Sequence, residues 1–193
     1  MAVNLSKGEK VSLEKAGAGG LTRVAMGLQW GMRKKKGLFG SSEVEVDLDA
    51  SCLLFAGTEM TDAIWFRALK SRCGAVVHSG DDRSGGGSAD ADNEVITVDL
   101  AGLPPTVDTL VFTVNSFLND SFKGIPNARC RLLDAASGRE LARFDLSLDG
   151  GEHTGMVMAK LYREGGGWHL QAIGEKGTGR TFDAMLPLIT KYL

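Results

Sequence analysis

Asp81, Asp82, Asp90, Asp92 and Glu94 fall within one stretch, GDDRSGGGSADADNE, residues 80–94, in which Arg83 is the one cation. Carboxylates this dense repel one another, each pair near 4 Å costing about 1 to 4 kcal/mol at effective dielectrics of 80 to 20. A divalent cation removes that cost. Ca2+ takes six to eight oxygens from carboxylates, amides and backbone carbonyls, a set that a flexible loop of Asp, Asn and Gly supplies. Asp90, Asp92 and Glu94 alternate and would leave one side of an extended segment, as Asp47 and Asp49 would in VEVDLD, residues 44–49. Two acidic strand ends meeting would preform an oxygen cage. A solvated turn has the same composition, so composition alone leaves both the cage and the turn open.

Other chemistries find less support. DADNE lacks the glycine, the twelfth-position glutamate and the flanking helices of an EF-hand, and no G-x-x-x-x-G-K-[ST] phosphate loop occurs. His78, His153 and His169 share no short spacing, which argues against zinc and against Cys–His catalysis; His78, just before the acidic loop, reads as a packing or supporting residue. Cys52, Cys73 and Cys130 are odd in number and form no CxxC pair, which suits a reducing, cytoplasmic setting. The basic run GMRKKKG, residues 31–37, reads either as a contact for lipid or nucleic-acid phosphates or as a solvated hairpin tip. With a net charge of -2, no nucleic-acid partner is expected. Nowhere do about 18 apolar residues run together, so an integral membrane protein is not expected either.

The elements that must position these residues read as strands. Period-two alternation marks 24–28, 44–49, 52–56, 94–99, 109–116, 128–134 and 140–146, bounded by Gly, Pro, Asn, Asp or Ser. A glycine turn inside MVMAKLYREGGGWHLQAIGE predicts a hairpin from Met156 to Ile173, and Phe182, Met185, Leu186 and Ile189 have helical spacing. With 26 glycines among 193 residues, turns are frequent. The expectation is one domain over residues 1–193, mainly β: an antiparallel β-sandwich with short helices, including one at the C-terminus.

Four segments carry a family resemblance when taken in order: VDLDAS at 46–51, AVVHSGDDRSG at 75–85, DADNE at 90–94 and ELARFDLS at 140–147. Together they resemble the bacterial tellurium-resistance and general-stress family typified by TerD, and more closely its TerZ-like branch. The likeness extends from Val3–Leu13 to Met156–Tyr162 and includes NSF at 115–117. The resemblance implies a single β-sandwich that binds calcium, commonly two ions, at one end, without catalytic activity. Carried onto this chain, it makes Asp47, Asp49, Asp81, Asp82, Asp90, Asp92 and Glu94 the metal ligands. This sequence departs from the family in four places: Asp82 stands where Asn is frequent, Ser88-Ala89 is a short insertion, Asn93 replaces a frequent Asp, and Gly31 follows Trp30 where an acidic residue is common. The expected partners are calcium ions and, through an ion-ordered surface, other Ter-family proteins or a membrane-associated stress complex. The alternative is a divalent-metal-dependent phosphohydrolase using the same carboxylates with Arg83 and His78.

Overall fold

Thr109–Ser116 is buried along its whole length although TLVFTVNS mixes apolar and polar types. Both of its faces are covered. Leu110, Phe112 and Val114 point into the main core, whereas Val111, on the other face, joins Leu53, Phe55, Val157 and Ile173 beneath Phe182, Met185 and Ile189 of the C-terminal segment. The strand therefore lies in the middle of three layers: helical turns, a first sheet and a second sheet.

The computed structural model describes residues 9–12, 21–37, 40–86 and 91–193. Its strands are β1 (Lys10–Ser12), β2 (Arg23–Gln29), β3 (Arg33–Gly37), β4 (Gly40–Val44), β5 (Leu48–Ala56), β6 (Glu59–Ile64), β7 (Val76–His78), β8 (Glu94–Asp99), β9 (Thr109–Ser116), β10 (Arg129–Asp134), β11 (Glu140–Asp145), β12 (Gly155–Glu164) and β13 (Gly167–Gly177). Two short helices accompany them, α1 (Leu146–Asp149) and α2 (Leu186–Ile189). One sheet runs β1-β13-β12-β9-β5-β6, the facing sheet β11-β10-β2-β8-β7, and β3-β4 form a separate ribbon. All pairings between these strands are antiparallel. This is the sandwich expected from the alternation.

Between the sheets, Val24, Met26 and Leu28 of β2 and Ile96 and Val98 of β8 meet Leu48, Ala50, Cys52 and Leu54 of β5. Burying each larger side chain here contributes about 1.5 to 3 kcal/mol relative to exposure. The predicted hairpin is present and longer than its apolar runs, from Gly155 to Gly177. Its two-residue turn places both Gly165 and Gly166 at positive φ, 62° and 88°, which the turn matching the right-handed twist of the strands requires.

Three expectations change. Residues 44–49 do not form one strand: β4 ends at Val44, Glu45–Asp47 leave the ladder, and β5 starts at Leu48. The break follows from tertiary bonds, since Trp30 Nε1 donates to the Val46 carbonyl at 2.6 Å and the Phe117 amide to the Asp47 carbonyl at 2.9 Å. The basic run is an arm of the β3-β4 ribbon, and its first cation is committed: Arg33 donates to Asp120 Oδ1 at 2.9 Å and to the Ser121 carbonyl at 3.0 Å. The C-terminal helix is divided into a 3-10 turn (Phe182–Met185), α2 and a second 3-10 turn (Thr190–Tyr192). Pro187 near the start of α2 has no amide hydrogen to continue the ladder.

Candidate metal centre

β6 stops at Ile64, opposite Cys52, so the first four residues of β5 extend past it at one end of the sandwich. Into that gap Glu94, the first residue of β8 in the facing sheet, sends its carboxylate. Oε2 accepts from the Ala50 amide at 2.8 Å and Oε1 from the Asp82 amide at 3.3 Å. His78 closes the back. Its Nδ1 accepts from the Gly80 amide at 3.1 Å, which places the proton of the neutral ring on Nε2, 3.4 Å from Glu94 Oε2. Neither side chain has any exposed surface, and the contact is too long for a strong hydrogen bond. His78 thus supports the site from behind.

In front of Glu94, one carboxylate oxygen each of Asp47, Asp49 and Asp81 lie within 4.8 Å of one another. Asp47 comes from the break before β5, Asp49 from β5 itself and Asp81 from the loop between β7 and β8. Asp47 and Asp49 are only 8 % and 4 % exposed, yet Asp47 Oδ1 and Asp49 Oδ2 have no hydrogen-bond partner. Buried carboxylate oxygens without donors are costly, and here several face each other. Burial, then the charges of Glu94, Asp47 and Asp81, push the Asp49 carboxyl up to about 8. Burial, then Asp81 and Glu94, raise Asp47 to about 6, Arg83 opposing. The donor set is all hard oxygen. Ligands on opposite sides of one Ca2+ at 2.3 to 2.6 Å sit about 4.6 to 5.2 Å apart, so the spacing suits such an ion.

Asp82 and Asp92 are spent on protein donors. Asp82 Oδ1 accepts from the Ser84 amide (3.0 Å), the Ser84 hydroxyl (3.1 Å) and the Gly85 amide (3.1 Å), and Oδ2 from Asn93 Nδ2 (2.9 Å). Burial opposes ionisation there, but the hydrogen bonds from Asn93, Ser84 and Gly85 prevail and hold the carboxyl below its ordinary value. Asp92 forks with Arg131, with contacts of 2.9 to 3.1 Å, over Gly27 of β2. Arg131 stands opposite Gly27 in the ladder, and a Cβ on that glycine would lie 2.1 Å from Asp92 Oδ2. Asp90 and the Ser88-Ala89 insertion lie outside the described residues.

Trp30, 1 % exposed, ties the loop to the acidic strand end. Besides its indole bond to Val46, its amide donates to Asn93 Oδ1 at 3.0 Å and its carbonyl accepts from the Gly86 amide at 3.1 Å. Gly85, at φ 66°, lies against the indole so closely that a Cβ would be 2.4 Å from Nε1. Asp82→Ala should therefore loosen the loop and lower stability by about 1 to 3 kcal/mol, read as a lower melting temperature and faster proteolysis within 79–93. A loss under about 0.5 kcal/mol would show that this clasp contributes nothing.

Sequence reasoning missed the surroundings of the cluster. Asn115 stands directly opposite Asp49 on β9 and so shares its face; Nδ2 donates to the Gly179 carbonyl at 3.0 Å, while Oδ1, buried, has no partner. An open cleft of about 500 Å3 joins Asp47, Asp49 and Asp81 to Phe66, Arg67, Arg83, Phe117 and Leu118. Arg83 Nε donates to Asp81 Oδ2 at 2.9 Å. NSFLNDSF divides: Phe122 is buried in the core, whereas Phe117 and the exposed Leu118 face the cleft. The one sequence signal at 65–67 is the aromatic pair Trp65-Phe66, which reads equally as interfacial or as core.

Comparison with known proteins agrees with this architecture. The TerD domain model matches residues 1–192. The chain is 48 % identical to tellurium resistance protein TerZ of Serratia marcescens, over 95 % of this chain and 94 % of that protein. It is 35 % identical to stress response protein SCP2 of Bacillus subtilis (strain 168), over the full length of both. A crystal structure of a homologue of telluride resistance protein TerD from Streptomyces coelicolor A3(2) superposes with a TM-score of 0.70 at 19 % identity, covering 83 % of this chain and 92 % of that one, a likeness of fold. Matched over nearly all its length, the chain belongs to the TerD family of tellurium-resistance and stress-response proteins.

Proposed function

We propose that the protein is a calcium-binding interaction module without catalytic activity, in which an ion held by Asp47, Asp49 and Asp81 orders one end of the sandwich. One observation carries this reading: two buried carboxylates from β5 and its approach meet a third from the facing sheet's loop, with oxygens left unpartnered. An ion there would replace mutual repulsion with attraction and lock the Asp81 loop against β5, a surface change that another protein of the stress response, in the cytoplasm or at a membrane-associated complex, can read. Asn115 Oδ1 is a further oxygen on the same face. The family resemblance implies two ions; among the described residues, ligands gather for one.

The phosphohydrolase alternative needs a base and a group to hold phosphate. Neither of the residues expected for it is free, since His78 is buried against Glu94 and Arg83 is paired with Asp81.

Calorimetric titration of Ca2+ into chelator-stripped protein tests the proposal and counts the ions. Asp47→Asn and Asp49→Asn should each weaken binding by about tenfold or more, because each removes one charged ligand. Asp92→Asn should lower stability through the lost Arg131 fork while leaving Ca2+ affinity within about threefold. No heat and no shift in melting on adding Ca2+ would sink the reading, and turnover of p-nitrophenyl phosphate with Mg2+ would favour the hydrolase.

A further inference from the structure

Arg67 makes no hydrogen bond or ion pair among the described residues, although it lines the same cleft as Asp47, Asp49 and Asp81. Its guanidinium is instead seated on aromatic rings, 5.5 Å from the centroid of Trp65 and 5.2 Å from that of Phe66. Those rings are themselves braced: Trp65 packs edge-on against Phe66 (4.8 Å) and Phe182 (5.2 Å), and Phe66 against Phe117 (5.6 Å). Cation–ring contacts and this bracing leave the fork of N–H donors fixed and unspent.

A free guanidinium in a cleft floored by three carboxylates is explained when those carboxylates are committed to a cation. Ca2+ takes six to eight oxygens, whereas the three aspartates and Asn115, each offering one, supply four, so positions remain open toward the cleft mouth. What enters there must present oxygen to the ion and accept from Arg67, and an oxyanion does both. Phe66, Phe117 and Leu118, the last 56 % exposed, form an apolar wall beside that position. A cleft of about 500 Å3 is of a size for a small molecule.

Resting on the calcium reading above, we propose that the cleft binds a small organic oxyanion, a carboxylate or phosphate on an apolar body, that bridges the bound ion and Arg67. The ligand's head completes the ion's coordination and takes the guanidinium fork. Its body lies on Phe66 and Phe117. Without the ion the floor is anionic and repels the same ligand, so binding of the two is coupled and reciprocal.

The test uses the full chain in two stages. Calorimetric titration of Ca2+ alone comes first, and if no binding is found both the calcium reading and this proposal fall. Phenyl phosphate and phenylacetate are then titrated into Ca2+-loaded protein, into chelator-treated protein and into the variants Arg67→Gln and Arg67→Lys. The expected result is binding of at least one of the two, telling phosphate from carboxylate, with Ca2+ and none in chelator. Arg67→Gln should weaken the anion by about tenfold or more with the Ca2+ isotherm unchanged and the melting temperature only slightly lowered, since a charge-assisted fork and two cation–ring contacts are lost at an exposed position. Arg67→Lys, which keeps the charge but not the fork, should recover only part of the affinity. The proposal is overturned, with the calcium reading intact, if Ca2+ binds and neither anion does, if benzyl alcohol binds as tightly as the anions, or if Arg67→Gln leaves anion binding unchanged.

Discussion

Ca2+ at a hundred times its dissociation constant should raise the melting temperature of the stripped protein by about 5 to 11 °C. An ion that binds only the folded state stabilises it by about 2.7 kcal/mol at that ratio, and a domain of this size shifts by about 2 to 4 °C per kcal/mol. Binding only the folded state is a fair description here. Asp47 and Asp49 reach the site through β5, and Asp81 reaches it only when the β7–β8 loop docks on Trp30. The unfolded chain holds no such arrangement. Asp49→Asn should lose most of the shift, because the substitution removes the most buried charged ligand of the cluster. Scanning calorimetry at matched ionic strength, with Mg2+ and Na+ as controls for screening, gives the measurement; equal shifts with all three salts would reduce the effect to screening.

The ion-free protein should become less stable as pH rises from about 4 to 8, the reverse of what paired carboxylates give. The direction follows from the two buried aspartates. Asp49 titrates at about 8 and Asp47 at about 6 in the folded state, against an ordinary 3.8. Both folded values are raised, so between 3.8 and the folded value the folded protein holds protons that the unfolded chain has released. Stability then falls with pH, by up to about 1.4 kcal/mol per pH unit for each group while it is protonated only in the folded state. Asp82 works the other way, its carboxyl held low, but its contribution is lost on acidification below the ordinary carboxylate range and leaves the window from 4 to 8 to Asp47 and Asp49. Saturating Ca2+ should flatten the decline, since it competes with protons for the same oxygens. Asn at position 49 carries no charge at any pH, so Asp49→Asn should make the ion-free protein more stable at pH 8, on the order of several kcal/mol, while losing most of its response to Ca2+. Denaturant unfolding in chelator at pH 5, 6, 7 and 8 reads both effects. Stability that is flat or rises over that range would mean that the three carboxylates do not crowd as described.

A site that costs stability when empty explains why its residues look odd taken singly. Val46 and Leu48 are core residues, buried between the sheets, and Asp47 and Asp49 beside them are nearly as buried. Alternation marks 44–49 as a strand with both acids leaving one side, and the structure buries those acids at the strand's end. Trp30 accounts for the difference, because its indole takes the Val46 carbonyl out of any ladder and turns the chain toward the loop.

Local features were legible in the sequence because their causes are local. Alternation in β8 follows from side chains leaving a strand on alternate faces, and Gly165-Gly166 marks its hairpin because only glycine readily takes two successive positive φ values. Family membership was legible for a related reason, as the resemblance rests on the ordered segments 46–51, 75–85, 90–94 and 140–147, each read locally from the sequence. The roles of the individual carboxylates were not. Asp81 and Asp82 are neighbours of the same type in the same loop, yet one faces Asp47 and Asp49 while the other caps Ser84 and Gly85. Asp92 and Glu94 alternate as a ligand pair would, yet Asp92 lies over Gly27 with Arg131 and Glu94 points between the sheets at Ala50. Composition thus determined that residues 80–94 concentrate negative charge, and only the tertiary structure decided which carboxylates crowd and which of their oxygens remain unpartnered. That choice depends on where β6 stops and on which backbone amides the facing sheet presents, contacts between residues far apart in sequence that no local pattern encodes.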